Sequence, residues 1–211
     1  MSADRWMARC LELAERARGR TAPNPMVGAL IVSGEEVLAE GWHHAAGQPH
    51  AEIEALRAAG ERARGCTMVV NLEPCCHYGR TPPCTEAIIA AGITRVIVGM
   101  EDPDPRMQGR AIQLLRDVGI EVELGVLGEE CRRLNRAYLI AKEQSRPMIV
   151  LKAALSLDGR IASAEGESQW ITGEPARQAG HGLRDVHDAV LVGSGTLIAD
   201  NPSLSTRVEG G

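Results

Sequence analysis

No phenylalanine occurs in the 211 residues, and only three tryptophans and two tyrosines do. Aromatic rings are among the largest packing units a core can use. The interior must therefore be assembled from Ala, Val, Ile, Leu and Met, and a hydrophobic fraction of 44% excludes a disordered chain. A basic surplus is missing too: the formal net charge is −5, and there is no basic run. An acidic surface repels phosphate backbones, which argues against a nucleic-acid partner. It leaves room for a small phosphorylated ligand, which needs only one or two local cations. No apolar run approaches the length of a membrane span, so no membrane partner is expected. The opening residues, MSADRW, carry neither the basic stretch nor the apolar stretch of a secretion signal, and a cytoplasmic location is expected. In a reducing compartment the six cysteines (Cys10, Cys66, Cys75, Cys76, Cys84 and Cys131) read as thiols or metal ligands rather than disulfides. Internal repeats and low-complexity tracts are absent, and a homo-oligomer is neither required nor excluded.

What is present is periodicity. Met7, Cys10, Leu11, Ala14 and Ala17 recur at three- and four-residue spacing, predicting a helix over 4–18. Thr21-Ala22-Pro23-Asn24-Pro25 breaks it. Two apolar runs, 27–32 and 37–41, flank Ser33-Gly34-Glu35-Glu36 as a hairpin. Helices are then expected over 51–59, 86–91, 109–118 and 129–142, with strands over 67–71, 95–99 and 121–125. Such alternation implies an α/β layered sheet with helices on both faces. Ser145-Arg146-Pro147 interrupts the pattern and divides the chain into domains 1–144 and 145–211. A strand over 148–154, a helix over 175–184, a strand over 189–192 and the stretch Gly193-Ser194-Gly195-Thr196 follow. About 64 residues are too few to close a sheet and cover it, so the second domain is expected to be incomplete.

The decisive cluster lies in the first domain. His50-Ala51-Glu52 precedes Pro74-Cys75 and Cys84. A His-x-Glu followed by Pro-Cys and a second cysteine is the pattern of zinc sites that activate water for nucleobase deamination, although here eight residues rather than two separate the cysteines. A catalytic zinc needs three protein ligands and one open position, and His50, Cys75 and Cys84 supply the three. His50 stands just before a predicted helix and Cys84 opens another, so two positive helix ends favour thiolate over thiol. Two thiolates cancel the charge of Zn²⁺, and such a metal acidifies water less than an all-histidine site. A separate base is then useful, and Glu52 is placed to take the proton from the attacking water and pass it to the ring nitrogen and the leaving ammonia. A structural Cys₂His₂ site with His77 as fourth ligand is the alternative, and it leaves Glu52 without a role.

Three stretches carry a resemblance: 21–28, TAPNPMVG; 41–52, from Gly41-Trp42-His43 to Gln48-Pro49-His50-Ala51-Glu52; and 73–84, EPCCHYGRTPPC. Together with Leu155-Ser156-Leu157-Asp158-Gly159-Arg160, Ser168-Gln169-Trp170-Ile171-Thr172-Gly173 and Asp200-Asn201-Pro202, they resemble the bifunctional riboflavin-biosynthesis deaminase/reductase family. The resemblance implies a cytidine-deaminase-like three-layer sandwich followed by the start of a dihydrofolate-reductase-like α/β domain. It implies zinc on His50, Cys75 and Cys84, and deamination of 2,5-diamino-6-ribosylamino-4(3H)-pyrimidinone 5′-phosphate through Glu52. Asn24, His43, His77 and Asp102 would surround the pyrimidine, Asp104 would bind substrate beside them, and Arg80 would meet the phosphate. In the second half NADPH would reduce the ribosyl chain to ribityl. Ala154, Trp170, Thr196 and Asp200 match nucleotide positions there, and Ser168, Arg184, Leu204 and Arg207 match substrate positions.

The sequence departs from the family pattern at a few places. Asp104 stands where many relatives carry Asn, and a carboxylate cannot donate as an amide does. Cys76 stands where Ser is commoner and Tyr138 where Phe is commoner. Deamination without reduction is expected of the chain. A nucleic-acid or nucleoside deaminase with the same metal set, or a non-catalytic zinc scaffold, are the competing readings.

Overall fold

The computed structural model describes residues 2–79 and 82–208. They fall into two compact units, Met1–Met148 and Ile149–Gly211. In the first, β1 (Gly28–Ser33) and β2 (Glu36–Trp42) form the expected hairpin. The other edge of β1 pairs antiparallel with β3 (Thr67–Val70); β4 (Arg95–Val98) and β5 (Glu121–Leu124) then add in parallel. The strand order is β2-β1-β3-β4-β5. Strands covered on both faces need apolar side chains at successive positions, and β1, β3 and β4 are buried nearly end to end. β5 is half-exposed at the edge, where Glu121 and Glu123 pair with Arg95 of β4. Charges on an edge discourage further pairing.

Two glycines bring the helices close. A side chain at Gly28 would strike the backbone of Cys10 in α1 (Ala3–Glu15), and one at Gly41 would strike the backbone of Ala51 in α2 (Ala51–Ala59). Gly41 faces Ala29 across the hairpin, so it lies on the sheet face that Gly28 does not. Hence α1 and α2 sandwich the sheet. The α2 side is extended by α3 (Cys84–Ala90) and α4 (Arg110–Asp117), while α5 (Gly128–Leu134) packs beside α1. The core is aliphatic as the missing phenylalanine requires: Met7, Leu13, Leu30, Ile31, Met68, Ile88 and Ile97 are among its largest fully buried side chains.

The structure departs from the expected elements in two places. The helix expected over 129–142 is two helices, α5 and α6 (Arg136–Gln144), divided at Asn135. Asn135 is buried; its Oδ1 accepts from Met26 N–H (2.8 Å) and its Nδ2 donates to Met26 C=O (3.0 Å). Asn71 bonds the same strip of backbone, accepting from Gly28 N–H and donating to Met26 C=O. Non-local amide bonds of this kind override helical periodicity. The second difference lies in the second unit, where 148–154 and 189–192 are not strands. A strand exists only as one partner in a ladder, and neither segment is paired. Ile149, Leu151 and Leu191 are 80%, 92% and 97% exposed. The expected helix is present as α7 (Glu174–Val186), and α8 (Ser194–Asp200) follows; neither buries a side chain. Among the described residues, no helix is long and apolar enough to cross a membrane.

Candidate active site

His50 is the N-cap of α2 and Cys84 the first residue of α3. Cys75 lies in the loop after β3, tied to α3 by Thr85 N–H donating to its carbonyl (3.1 Å). Two helix starts and a strand exit therefore converge. His50 Nδ1 lies 3.2 Å from Cys84 Sγ and 3.5 Å from Cys75 Sγ, and all three donor atoms fall within 4.8 Å of one another. A tetrahedral zinc with ordinary Zn–N and Zn–S bonds would separate nitrogen from sulfur by about 3.5 Å. The donor set and its spacing fit zinc. Among the described residues no other such cluster of His, Cys, Asp and Glu occurs. His77 turns its Nδ1 to Met107 Sδ (3.3 Å) instead, and Cys76 Sγ also faces that sulfur (3.8 Å).

The trio is electrostatically poised. The Cys84 thiol, the His50 imidazole and the Cys84 backbone N–H all act on Cys75 Sγ, and together they draw the Cys75 thiol down to about 4. Cys84 moves well up, because it donates to Cys75 and is buried. The thiolate beside His50 raises that imidazole above its usual range. Glu52, in the first turn of α2, is buried; desolvation first, and the Cys75 charge second, raise its carboxyl.

A cavity of about 680 Å³ opens onto His50, Cys75 and Glu52. His43, also buried, donates from Nδ1 to the Pro49 carbonyl (2.9 Å), which leaves Nε2 to accept from Asn24 Nδ2 (3.1 Å). Asn24 thus keeps its carbonyl and one N–H for a ligand. Burial pushes the His43 imidazole down, so it stays neutral. Asp102 accepts from the Tyr138 hydroxyl (2.8 Å to Oδ1), and burial raises its carboxyl. Asn24, His43, His77, Asp102 and Asp104 all line this cavity. Arg80, expected at the phosphate, lies outside the described residues.

The positions matched in the second unit are mostly exposed. Thr196 and Asp200 sit on α8, Ser168 and Arg207 are exposed, Ala154 and Leu204 are half-buried, and Trp170 is exposed beneath the Arg177 guanidinium (4.5 Å to the ring centroid). Arg184 of α7 donates to the carbonyls of Ser203 and Ser205, either side of Leu204.

Four cavity residues escaped the sequence reading. Glu73 is a buried brace: its carboxylate accepts from the N–H groups of Asp102 (3.1 Å), Gly109 (3.0 Å) and Ala111 (2.9 Å). Arg106 and Lys142 flank Asp104, and Met107 backs His77. Lys142 could have been found, since it follows Tyr138 by four residues on one face of α6. The roles of Glu73 and Met107 could not be read from the sequence, because their partners are distant backbone and a neighbouring loop.

The fold and the metal cluster define a cytidine-deaminase-like zinc domain: residues 1–100 match the model of the cytidine and deoxycytidylate deaminase zinc-binding region. Residues 147–211 match the RibD C-terminal domain. The chain belongs to the RibD family of riboflavin-biosynthesis proteins. It is 53% identical over 201 residues to the riboflavin biosynthesis protein RibD of Synechocystis, covering 95% of this chain and 55% of that one. With the Escherichia coli protein of the same name it shares 49% over 207 residues, 98% of this chain and 56% of the other. The solved diaminohydroxyphosphoribosylaminopyrimidine deaminase/5-amino-6-(5-phosphoribosylamino)uracil reductase of Thermotoga maritima superposes with a TM-score of 0.94 at 43% identity, over 99% of this chain and 60% of that one. The chain thus spans little more than half the length of these relatives.

Proposed function

We propose that the first unit is a zinc-dependent deaminase of 2,5-diamino-6-ribosylamino-4(3H)-pyrimidinone 5′-phosphate, and that the second contributes to NADPH-dependent reduction of the ribosyl chain. The observation that carries the first reading is the buried carboxyl of Glu52 beside the His50, Cys75 and Cys84 donors, at the floor of a cavity large enough for a nucleotide. A structural metal site would give no reason to bury an acid there at the cost of desolvation. Zinc, when bound, supplies Lewis acidity that makes water a nucleophile at neutral pH.

The residues do the rest. Glu52, its carboxyl raised by burial, accepts the proton of the attacking water and returns it to the ring nitrogen. The proton left on the added hydroxyl then passes through the same carboxylate to the departing amine, so that a C–O bond forms, a C–N bond breaks and ammonia leaves. Asn24, held by His43, offers an acceptor and a donor to the heterocycle edge. His77 and Asp102 border the same ring, and Arg80 is assigned to the phosphate. For the second unit the support is the family match and the positions Ala154, Trp170, Thr196 and Asp200 for the nucleotide, with Ser168, Arg184, Leu204 and Arg207 for the substrate.

The test is ammonia release from the nucleotide by zinc-loaded protein, with and without a chelator. Release that the chelator abolishes is expected. No release from metal-loaded, folded protein would sink the reading.

A further inference from the structure

An anion entering this cavity meets an acidic protein and, inside, the carboxyls of Glu52, Glu73, Asp102 and Asp104. Among the described residues lining it, the lysine and arginine side chains are Arg106 and Lys142 alone. Both converge on Asp104. Arg106 donates from Nε to Oδ1 (2.9 Å) and from Nη2 to Oδ2 (2.8 Å), its backbone N–H adds a bond to Oδ1 (3.0 Å), and Lys142 Nζ donates to Oδ2 (2.8 Å). Two carboxylate oxygens offer about four acceptor sites. Asp104 is therefore saturated, and it cannot present an oxygen to a substrate.

We propose that Arg106 and Lys142 form a clasp that joins Arg80, already assigned to the phosphate of the substrate, in holding it, with Asp104 as the positioning residue beneath the clasp. The proposal rests on the reading of the first unit as a deaminase of a phosphorylated aminopyrimidine. The trio carries a net positive charge, since one carboxylate faces two cations. Lys142 has spent one of its three N–H donors in these bonds, and Arg106 retains Nη1. The Asp104 side chain is 6% exposed, against 33% for Lys142 and 62% for Arg106, so the anion lies within and the free donors face outward. Lys142 is further steadied above the Tyr138 ring, 5.6 Å from its centroid. Cations fixed in advance lose less side-chain entropy on binding than free ones, and guanidinium with ammonium suits a phosphate's several oxygens. The other carboxylates are otherwise engaged: Asp102 accepts from Tyr138, and Glu73 from three backbone N–H groups. Asp104 thus departs from Asn without losing a place in recognition, because it acts through its two cations.

The experiment compares kcat/KM for the nucleotide and for its dephosphorylated form, in zinc-loaded protein. Lys142→Met is expected to lower the preference for the phosphorylated form by about tenfold or more, chiefly through KM. Asp104→Asn should lower it less, since both cations remain but lose their anchor. If Lys142→Met folds poorly because Asp104 is left half-neutralised, the double variant Asp104→Asn/Lys142→Met removes both charges, and the same loss is expected. Inorganic phosphate, followed by phosphorus NMR, should bind the wild-type protein and bind Lys142→Met more weakly by a similar factor. A preference unchanged in the folded variants, both substrate forms failing equally, or no phosphate binding to the wild type would each overturn the clasp. A wild-type protein that releases no ammonia would instead overturn the deaminase reading, and the phosphate measurement would still decide the clasp.

Discussion

Leu30 and Leu191 both sit in apolar runs that read as strands, yet one is fully buried and the other is 97% exposed. The first unit closes a five-stranded sheet between two helical layers, whereas the second presents unpaired apolar segments and two helices without a buried side chain. The difference teaches that an apolar run specifies a strand only when neighbours complete its ladder. The same holds for chemistry. Glu52 is set by what surrounds it, while Thr196 and Asp200 stand in the open. The comparison predicts that substitutions will weigh heavily in one unit and lightly in the other.

The largest effect is expected at Glu52. Glu52→Gln keeps the shape and removes the proton acceptor, and ammonia release should fall by about 10²–10⁴-fold while zinc content, measured by metal analysis, stays at one equivalent or nearly so. Leu191→Ala should leave release close to the wild-type rate. Equal losses in the two variants would break the separation of the units.

Next comes the core. Leu30→Ala removes a fully buried side chain from a strand covered on both faces and should cost about 2–5 kcal/mol. Leu191→Ala exposes nothing new and should stay within about 0.5 kcal/mol. Urea melts of the two variants, followed by circular dichroism, check this. A Leu191→Ala loss as large as that of Leu30→Ala would mean that the second unit has a core of its own in solution. A smaller step separates the two buried amides from ordinary polar residues. Asn135→Ala leaves Met26 with an unpaired N–H and should cost about 1–3 kcal/mol, read in the same melts.

That last case marks where the sequence stops being legible. The runs at 27–32, 67–71 and 95–99 predict the strands found at Gly28–Ser33, Thr67–Val70 and Arg95–Val98, because strands covered on both faces announce themselves in composition alone. The metal donors were legible because His-x-Glu and Pro-Cys carry the chemistry in their spacing. Asn135 was not, since its partner is a carbonyl and an N–H 109 residues away. Glu73 was hidden for the same reason, and its three bonds all go to backbone. The runs at 148–154 and 189–192 failed in the opposite sense: their composition is that of a buried strand, and composition does not report whether a partner is there. Asp104 was visible as a departure from the family, but its meaning depended on Lys142, brought close only by α6.

The smallest effect sets a buried aspartate ion pair against an exposed one. Asp104 and Asp158 each bind an arginine two residues on, at 2.8 Å for Arg106 and 3.0 Å for Arg160. The Asp104 side chain is 6% exposed and that of Asp158 is 66% exposed. Arg106 first, then Lys142, hold the Asp104 carboxyl well below its usual range. A depressed carboxyl stabilises the fold above its unfolded value, about 3.9, and that contribution is lost as pH falls through the folded value. Asp104→Asn should therefore cost about 1 kcal/mol near neutrality and flatten the acid limb of the stability curve below about pH 4. The Asp158 carboxyl is also lowered, by Ser156 first and Arg160 second, but at the surface solvent screens the pair. Asp158→Asn should leave the melting temperature and its acid limb where they were. Thermal melts at several pH values compare the two variants, and matching acid limbs would overturn the expectation that the buried, doubly paired Asp104 contributes more than the exposed Asp158.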